Sequence, residues 1–478
     1  MFIGRERELN ELKEKLENRR FESILIYGRR RIGKTALIRE AASSFHGRFL
    51  YYECRRSLFS DNLDGLNRLL QRSFGHSFSF PEFRDILHFV LEKAKTERML
   101  FVLDEFPFLM LEKPSVVSDI RDILDAYRDQ SSLKLILSGS YVDMMKSLIE
   151  GNSETFGRFT GVIHLKPFDY YDAAQFYPDY TPEEKLMMYA VFGGIAFFNS
   201  LIDPQKTPLE NIQQLVVQPD SILQLEIEHT ISAETSKIPM VNSVIEMIGE
   251  GETKYSEIRK KLLSKLGKEV NIDYLLKKLT EMEILEKKVP INDSKNRKRT
   301  FYVFADNLMQ FYYQFIFPYK AMNSIMPVNA FFQEFVENKF LERYLPLKFE
   351  KVTREYLIRA NQKGLLSPPI YNIGTYFFND ARNRVNRQFD VVTQDRNGYI
   401  SYECKYSASP ISLSVIQEEE YQVRECGLSF YKLGFASRSG FSESVPPEKY
   451  SLLTLREMYS GKLSSDEAFN DPRSVLPK

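Results

Sequence analysis

Two short sets of residues in this 478-residue chain have types and spacings that could do chemistry. The first is Gly28, Gly33, Lys34 and Thr35, which fit the pattern G-x-x-x-x-G-K-[ST]. Glycines at those places let backbone N–H groups curl around phosphate oxygens, and a helix starting there adds its positive end. The loop Gly28, Arg29, Arg30, Arg31, Ile32 and Gly33, running into Lys34, Thr35 and Ala36, is therefore a candidate cradle for ATP or ADP. Lys34 would reach the β- and γ-phosphates, and the Thr35 hydroxyl would ligate Mg²⁺. The second set lies in NRQFDVVTQDRNGYISYECKY, residues 386–406. Asn397-Gly398 predicts a two-residue type I′ turn between two strands. With those residues as the loop, Asp390 faces Lys405, and Val392 faces Glu403. Asp390, Glu403 and Lys405 then share one face, while Phe389, Val391, Ile400, Tyr402 and Cys404 make the other face apolar. Two carboxylates and a lysine suit metal-assisted phosphodiester hydrolysis. Asp390 and Glu403 would hold Mg²⁺ or Mn²⁺, and Lys405 would orient the nucleophile or steady developing charge. A surface cross-strand Asp–Lys pair beside an unrelated Glu would give the same pattern.

The elements around the first set fit its demands. Residues 23–27 are a short apolar strand, and 35–44 have Ala and Leu at helical spacing. RMLFVLDEF (98–106) predicts a second buried strand ending in Asp104-Glu105. Asp104 would hold the Mg²⁺ through its shell, and Glu105 would orient or activate the attacking water. LKLILSGS (133–140) predicts a third strand ending in Ser138 and Ser140. Ser138 could sense the γ-phosphate, and a serine closing a turn is an equally natural reading. Alternating apolar strands and helices predict a parallel sheet.

Composition bounds the rest. The length suggests about three domains. Lys plus Arg total 65 and Asp plus Glu total 65, so no global field draws the chain to nucleic acid or membrane, and such binding must come from local patches. Three separated cysteines, Cys54, Cys404 and Cys426, argue for a reducing compartment. Five scattered histidines give no zinc spacing. The N-terminus lacks the apolar core of a signal peptide, and no apolar run is long enough to span a bilayer. The expectation is a cytoplasmic protein with no membrane partner.

From Ile238 three amphipathic segments lead into EKKVPINDSKNRKRTFYVF, two strands around a basic tip. This is a helix-turn-helix followed by a wing. Lys287, Lys288, Lys295, Arg297, Lys298 and Arg299 could meet phosphates, and Asn271, Tyr274, Lys277 and Lys278 could face a DNA groove. Winged helices also serve as protein-packing modules, and a charge run is commonly a solvated loop. The aromatic block 305–320 reads as core tying this module to the next domain.

FIGRERELNEL, GRRRIGKT, VLDEF, LILSGS and TFGRFTGVIHLKPF, in order through the first 200 residues or so, resemble the archaeal-type ATPases of the AAA superfamily, relatives of the STAND switch ATPases. The resemblance implies that Phe2, Ile3, Gly4 and Arg5 lie against the adenine. It also implies that Arg158 acts on the γ-phosphate, in a homo-oligomer from a neighbouring subunit. VFGGIAFF (191–198) resembles the family's Gly-Gly lid motif, with Ile195-Ala196 where Ile-Pro is usual. Asp390…Glu403-Cys404-Lys405 resembles the PD-(D/E)xK core of restriction-endonuclease-like folds. That resemblance adds an acid from a preceding helix, and Glu350 in FEKVTREYLIRA matches its position better than Glu355. Asn386, Arg382, Arg384 and Arg387 would stand near a DNA backbone or in a solvated loop. The expected fold class is α/β: a P-loop NTPase parallel sheet (1–165) with a helical lid (166–235), a winged helix (236–310) and a restriction-endonuclease-like α/β domain (311–478). The expected function is ATP hydrolysis coupled to DNA binding and metal-dependent DNA cleavage. The alternative is an ATP-gated switch that binds DNA or protein and has an inactive nuclease-like domain.

Overall fold

The computed structural model describes residues 2–460 apart from 76, 78, 128–129, 236–239, 268–270, 295, 297–298, 381–384, 426–427 and 429. Lys295, Arg297, Lys298, Arg382, Arg384 and Cys426 therefore lie outside the described residues, as do the side chains of Asn386 and Arg387. The chain divides into two compact units. One comprises Met1–Pro167, Ile195–Phe197 and Glu281–Glu283; the other comprises Phe168–Gly194, Phe198–Thr280 and Ile284–Lys478.

The first unit is built on β1 (Glu22–Tyr27), β2 (Arg48–Glu53), β3 (Met99–Asp104), β4 (Lys134–Gly139) and β5 (Gly161–His164), in the spatial order β2-β3-β4-β1-β5. Every pairing is parallel. β1, β3 and β4 are buried along their whole length. Continuous runs such as LFVLD and LILSG have that character because helices cover both faces of a parallel sheet. One face packs Leu25, Leu50, Phe101, Leu103 and Leu137 against the helices Phe59–Phe74, Phe83–Lys93 and Val116–Tyr127. The ends of β1, β3 and β4 are thereby fixed side by side, and the helix Lys34–Ala42 starts directly after the first of them.

The second unit carries a mixed sheet in the order β12-β11-β10-β9-β8: β8 (Asn372–Asp380), β9 (Val385–Asp395), β10 (Gly398–Lys405), β11 (Phe430–Ser437) and β12 (Ser451–Thr454). β8, β9 and β10 pair antiparallel, whereas β10, β11 and β12 pair parallel. The helix Leu345–Gln362 precedes β8, and the helix Leu413–Glu425 links β10 to β11, as a parallel pair requires. The aromatic block is core: Phe311, Tyr312 and Phe315 are buried, and Phe311 meets the rings of Phe340 and Tyr344 edge-on or nearly so.

The β9–β10 turn differs from the expected one. Gly398 pairs with Asp395, Tyr399 with Gln394 and Ser401 with Val392, so the loop residues are Arg396 and Asn397. Asp395 Oδ1 accepts from the Asn397 backbone N–H at 2.7 Å, so an acidic side chain closes the turn one residue earlier than Asn-Gly suggests. The register moves by two residues, which keeps every side chain on its expected face. Carried on by one pair beyond Tyr402↔Val391, it sets Asp390 opposite Glu403 rather than opposite Lys405.

Helices Val241–Gly249, Tyr255–Leu266 and Ile272–Glu281 lead into the antiparallel pair β6 (Leu285–Lys288) and β7 (Phe301–Phe304). The segment between these strands docks on β8, an edge strand. Ile291 N–H donates to the Thr375 carbonyl at 2.8 Å. Asn292 gives its side-chain amide to the Phe377 carbonyl (2.8 Å) and accepts from the Phe377 N–H (3.0 Å). Arg299 lies 4.1 Å from the Phe377 ring centroid and pairs with Asp293 at 2.9 Å. Covering an edge strand satisfies backbone groups that would otherwise template foreign pairing.

Gly194 is held by a close backbone approach in this unit. Its carbonyl accepts from Phe168 N–H at 2.8 Å, and a Cβ there would stand 1.9 Å from the Phe168 oxygen. Backbone cannot yield as a flexible side chain would. Gly194→Ala is expected to lower stability by about 3 kcal/mol, read as a lower urea midpoint with unchanged slope.

Candidate functional site

The first candidate centre assembles at the ends of β1, β3 and β4. Gly28 has φ 155° and Gly33 has φ 102°. A Cβ on Gly28 would fall 2.2 Å from the Leu165 carbonyl oxygen, so only glycine fits where the loop leaves β1. Lys34 is buried, and its Nζ donates to the carbonyls of Gly28 (3.0 Å) and Arg29 (3.2 Å). Thr35 Oγ1 donates to Asp104 Oδ2 at 2.7 Å, which sets the two expected Mg²⁺-associated oxygens side by side. Tyr51 on the neighbouring strand donates to the same carboxylate oxygen at 2.7 Å. Burial, then this bond to Asp104, pushes the Tyr51 phenol well above its usual range. Glu105 occupies the left-handed region with φ 51°, a conformation that costs free energy and concentrates at functional sites. Its Oε2 accepts from Ser140 Oγ at 2.8 Å and from the Ser140 N–H at 3.2 Å. Arg31 is also left-handed (φ 64°), and its guanidinium lies 4.0 Å from the Phe197 ring centroid.

The segment Phe2–Arg5 reaches the same loop. Arg5 Nη2 donates to the Lys166 carbonyl at 2.6 Å and more weakly to that of Ile32 at 3.5 Å. Arg158 is held elsewhere. Its guanidinium grips both Asp125 carboxylate oxygens, at 2.7 and 2.9 Å, and makes no bond to the glycine loop, Lys34 or Thr35 among the described residues. The Ser138 hydroxyl is buried and has no hydrogen-bond partner among the described residues. An orphaned hydroxyl beside Asp104, Glu105 and a glycine loop fits a phosphate or its attacking water as the missing partner. The residues present therefore fit a nucleoside triphosphate with Mg²⁺: the loop amides and Lys34 would hold phosphate oxygens, while Thr35 and Asp104 would stand at the ion. Such an ion supplies charge neutralisation at the transferred phosphoryl group.

The second candidate centre lies in the other unit, between the helix Leu345–Gln362 and the strands β9 and β10. Burial, followed by the Asp390 and then the Glu403 carboxylate, pushes the Glu350 carboxyl up to about 8, against Arg354 and Lys288. Burial also raises Glu403, opposed by Lys405. Lys405 Nζ lies 2.9 Å from Glu403 and 2.8 Å from Glu419. Gln388 donates to Asp390 Oδ1 at 2.7 Å, and Arg354 donates to the Asp390 carbonyl at 3.3 Å. Glu350 and Glu403 thus both feel the Asp390 carboxylate, and Lys405 pairs with Glu403. Among the described residues no group of three or more His, Cys, Asp or Glu is placed so that it could hold a metal ion. Glu355 is taken up elsewhere, accepting from the Tyr170 N–H (3.0 Å) and the Tyr189 hydroxyl (2.8 Å).

Residues 2–196 match an ATPase domain found predominantly in Archaea, and residues 312–421 match archaeal and bacterial proteins of unknown function. An uncharacterized protein of Methanocaldococcus jannaschii is 31% identical over 382 residues, which span 79% of this chain and 82% of that protein. The chain belongs to this archaeal-type ATPase family. Among solved structures, a Walker-type ATPase of Pyrococcus abyssi is similar at 19% identity and TM-score 0.49, over 66% of this chain and 96% of that one. The ORC2 protein of Aeropyrum pernix, solved as ADPNP–ADP complexes, is similar at 16% identity and TM-score 0.42, over 69% of this chain and 95% of that one.

Three partners in the archaeal-type ATPase were not legible as site residues. Tyr51 sits on a neighbouring strand, and its register, Tyr51↔Val102, is what brings it to Asp104. Lys288 comes from β6, and Glu419 comes from the helix after β10. Burial and then the Arg354 charge lower Lys288 to about 8. Among the described residues no helix is long and apolar enough to cross a membrane. Ser138→Ala is expected to leave stability within about 0.5 kcal/mol, because the hydroxyl has no bond to lose. It should slow ATP turnover about tenfold, measured as phosphate release; turnover at the wild-type rate would remove Ser138 from the site.

Proposed function

We propose that this archaeal-type ATPase uses ATP binding and hydrolysis at Gly28–Ala36, Asp104, Glu105 and Ser138 to govern a DNA-processing centre at Glu350, Asp390, Glu403 and Lys405. On this reading ATP binding repositions the helical module and the nuclease-like sheet on DNA, and the finer division of the chain into ATPase core, lid, winged helix and nuclease-like domain follows it. The observation that carries the second half is the Glu350 carboxyl, raised to about 8 by burial and then by the Asp390 and Glu403 carboxylates of two strands. Carboxyls forced together in that way are what a divalent cation relieves, and perturbed acids of this kind cluster at functional sites. The test is nicking of circular DNA by the full chain with ATP and Mn²⁺ or Mg²⁺. Nicks that appear with the ion and vanish on chelation support the reading. Intact circles under every condition overturn it.

A second reading has its own support. Lys405 is clamped between Glu403 and Glu419, and the segment between β6 and β7 is occupied on the β8 edge. Engagement of Ile291, Asn292 and Arg299 within their own chain suits a switch in which the last domain binds and does not cut. DNA retained at low salt but never cut would favour that reading.

A further inference from the structure

One side chain at the first centre is not called for by a phosphate loop. Tyr51 stands on β2, paired in register with Val102 of β3. Side chains of paired residues share a face and alternate along each strand, so Tyr51, Val102 and Asp104 lie on one side of the sheet. That side carries the helix Lys34–Ala42, whose Thr35 bonds Asp104 and whose Arg39 guanidinium lies 5.5 Å from the Tyr51 ring centroid. Thr35 and Arg39 are one helical turn apart, so one helix face meets both the carboxylate and the ring. Leu50 and Tyr52 point the other way, into the core with Phe101 and Leu103.

Among the described residues three donors meet on the buried Asp104 carboxylate. Thr35 Oγ1 and the Tyr51 hydroxyl each reach Oδ2 at 2.7 Å, and the Glu105 N–H reaches Oδ1 at 3.0 Å. The three are not equivalent. The Thr35 hydroxyl oxygen is the atom that would meet the ion, so its place depends on ion and nucleotide. The Glu105 N–H belongs to the next residue and turns with the backbone of Asp104 itself. Among these donors Tyr51 alone ties the carboxylate to an element that would touch neither phosphate nor ion. Its half-buried hydroxyl could be hydrated without this bond. What the bond fixes is the carboxylate, which is held in one orientation before an ion arrives. Such fixing matters unequally to different ions. Mg²⁺ demands near-ideal octahedral geometry at about 2.0–2.1 Å, whereas Ca²⁺ accepts flexible geometry at about 2.3–2.6 Å. Partners that orient an ion's ligands are worth about 10–100-fold in metal affinity or activity.

Resting on the proposed reading of Gly28–Ala36 and Asp104 as an ATP and Mg²⁺ site, we infer that Tyr51 is a positioning residue that holds Asp104 for Mg²⁺ and makes the site prefer Mg²⁺ to Ca²⁺. The test is the affinity of the full chain for a fluorescent, non-hydrolysable ATP analogue in EDTA, in saturating Mg²⁺ and in saturating Ca²⁺. The gain from EDTA to each ion measures the coupling of that ion to the nucleotide. Tyr51→Phe keeps the ring and removes the hydroxyl. It should bind the analogue in EDTA as the unaltered chain does, lose about tenfold of the Mg²⁺ gain and lose less than about threefold of the Ca²⁺ gain. A merely structural loss would lower all three affinities together. Tyr52→Phe removes a hydroxyl from the same strand that bonds Asn62 Oδ1 at 3.1 Å instead, and it should keep both gains. A Mg²⁺ gain that Tyr51→Phe leaves unchanged overturns the inference, as does a Ca²⁺ gain that falls as far as the Mg²⁺ gain or an equal loss in all three buffers. Failure of the unaltered chain to bind the analogue in any buffer is a different result, which overturns the ATP reading and takes the inference with it.

Discussion

Lys34→Ala is expected to cut ATP turnover by about 10²–10³-fold, the cost of removing one preorganised donor from a phosphoryl-transfer site. The side chain is buried and its ammonium rests on two carbonyls of its own loop, Gly28 and Arg29. Those contacts position the cation where phosphate oxygens would take it over, and a buried cation resting on neutral carbonyls gains from an arriving anion. The same geometry says that the variant folds. Alanine removes a buried charge, and the helix Lys34–Ala42 keeps its other buried residues, Leu37, Ile38 and Ala41. Phosphate release and the binding of a fluorescent ATP analogue check the two halves separately. Hydrolysis that survives the substitution would mean that the phosphates lie elsewhere.

The parts of this archaeal-type ATPase that sequence exposes are those where chemistry dictates spacing. A phosphate loop needs its glycines and its Lys-Thr at set positions, so the strand, loop and helix around Gly28–Ala36 could be placed to within a residue or two. The strand ends at Asp104 and Ser138 could be placed because buried parallel strands are unbroken apolar runs that stop at polar residues. Glu105 in the left-handed region was not legible, because its conformation is set by Ser140 across a turn. The hairpin shows how parity protects a reading. Asn397-Gly398 suggested the loop, yet the Asp395 carboxylate captures the Asn397 N–H and moves the loop to Arg396-Asn397. A slip of one residue would have turned Asp390 and Glu403 to opposite faces, whereas a slip of two leaves the face intact and changes only which residues stand opposite. The docking of Ile291 and Asn292 on β8 lay beyond reach. A polar, basic loop carries no periodic signal, and only the need to cover an edge strand points to it. Its consequence reaches function: Arg299 and Lys288, read as free cations of a wing, are occupied by Phe377 and Asp293 and by the neighbourhood of Glu350.

On the proposed reading, Asp390→Ala abolishes metal-dependent DNA cleavage while leaving the fold and ATP turnover in place, and the reason lies in how the three carboxyls share one region. Glu350 is raised to about 8 by burial and then by Asp390, whose carboxylate makes Glu350 harder to ionise. Among the described residues, removing the Asp390 carboxylate loses one bond, from Gln388, and relieves the repulsion on Glu350, so thermal unfolding should shift little or upward. Cleavage is affected in the opposite sense. The proposed divalent ion would need charge from Asp390 and Glu403 on both strands, and Glu350, protonated over much of the neutral range, would supply little in its place. Loss of cutting with an unchanged melting curve is therefore specific to the site. Nicking that persists in a well-folded Asp390→Ala chain would separate the carboxyl cluster from catalysis and leave the last domain a binding module governed by the ATPase.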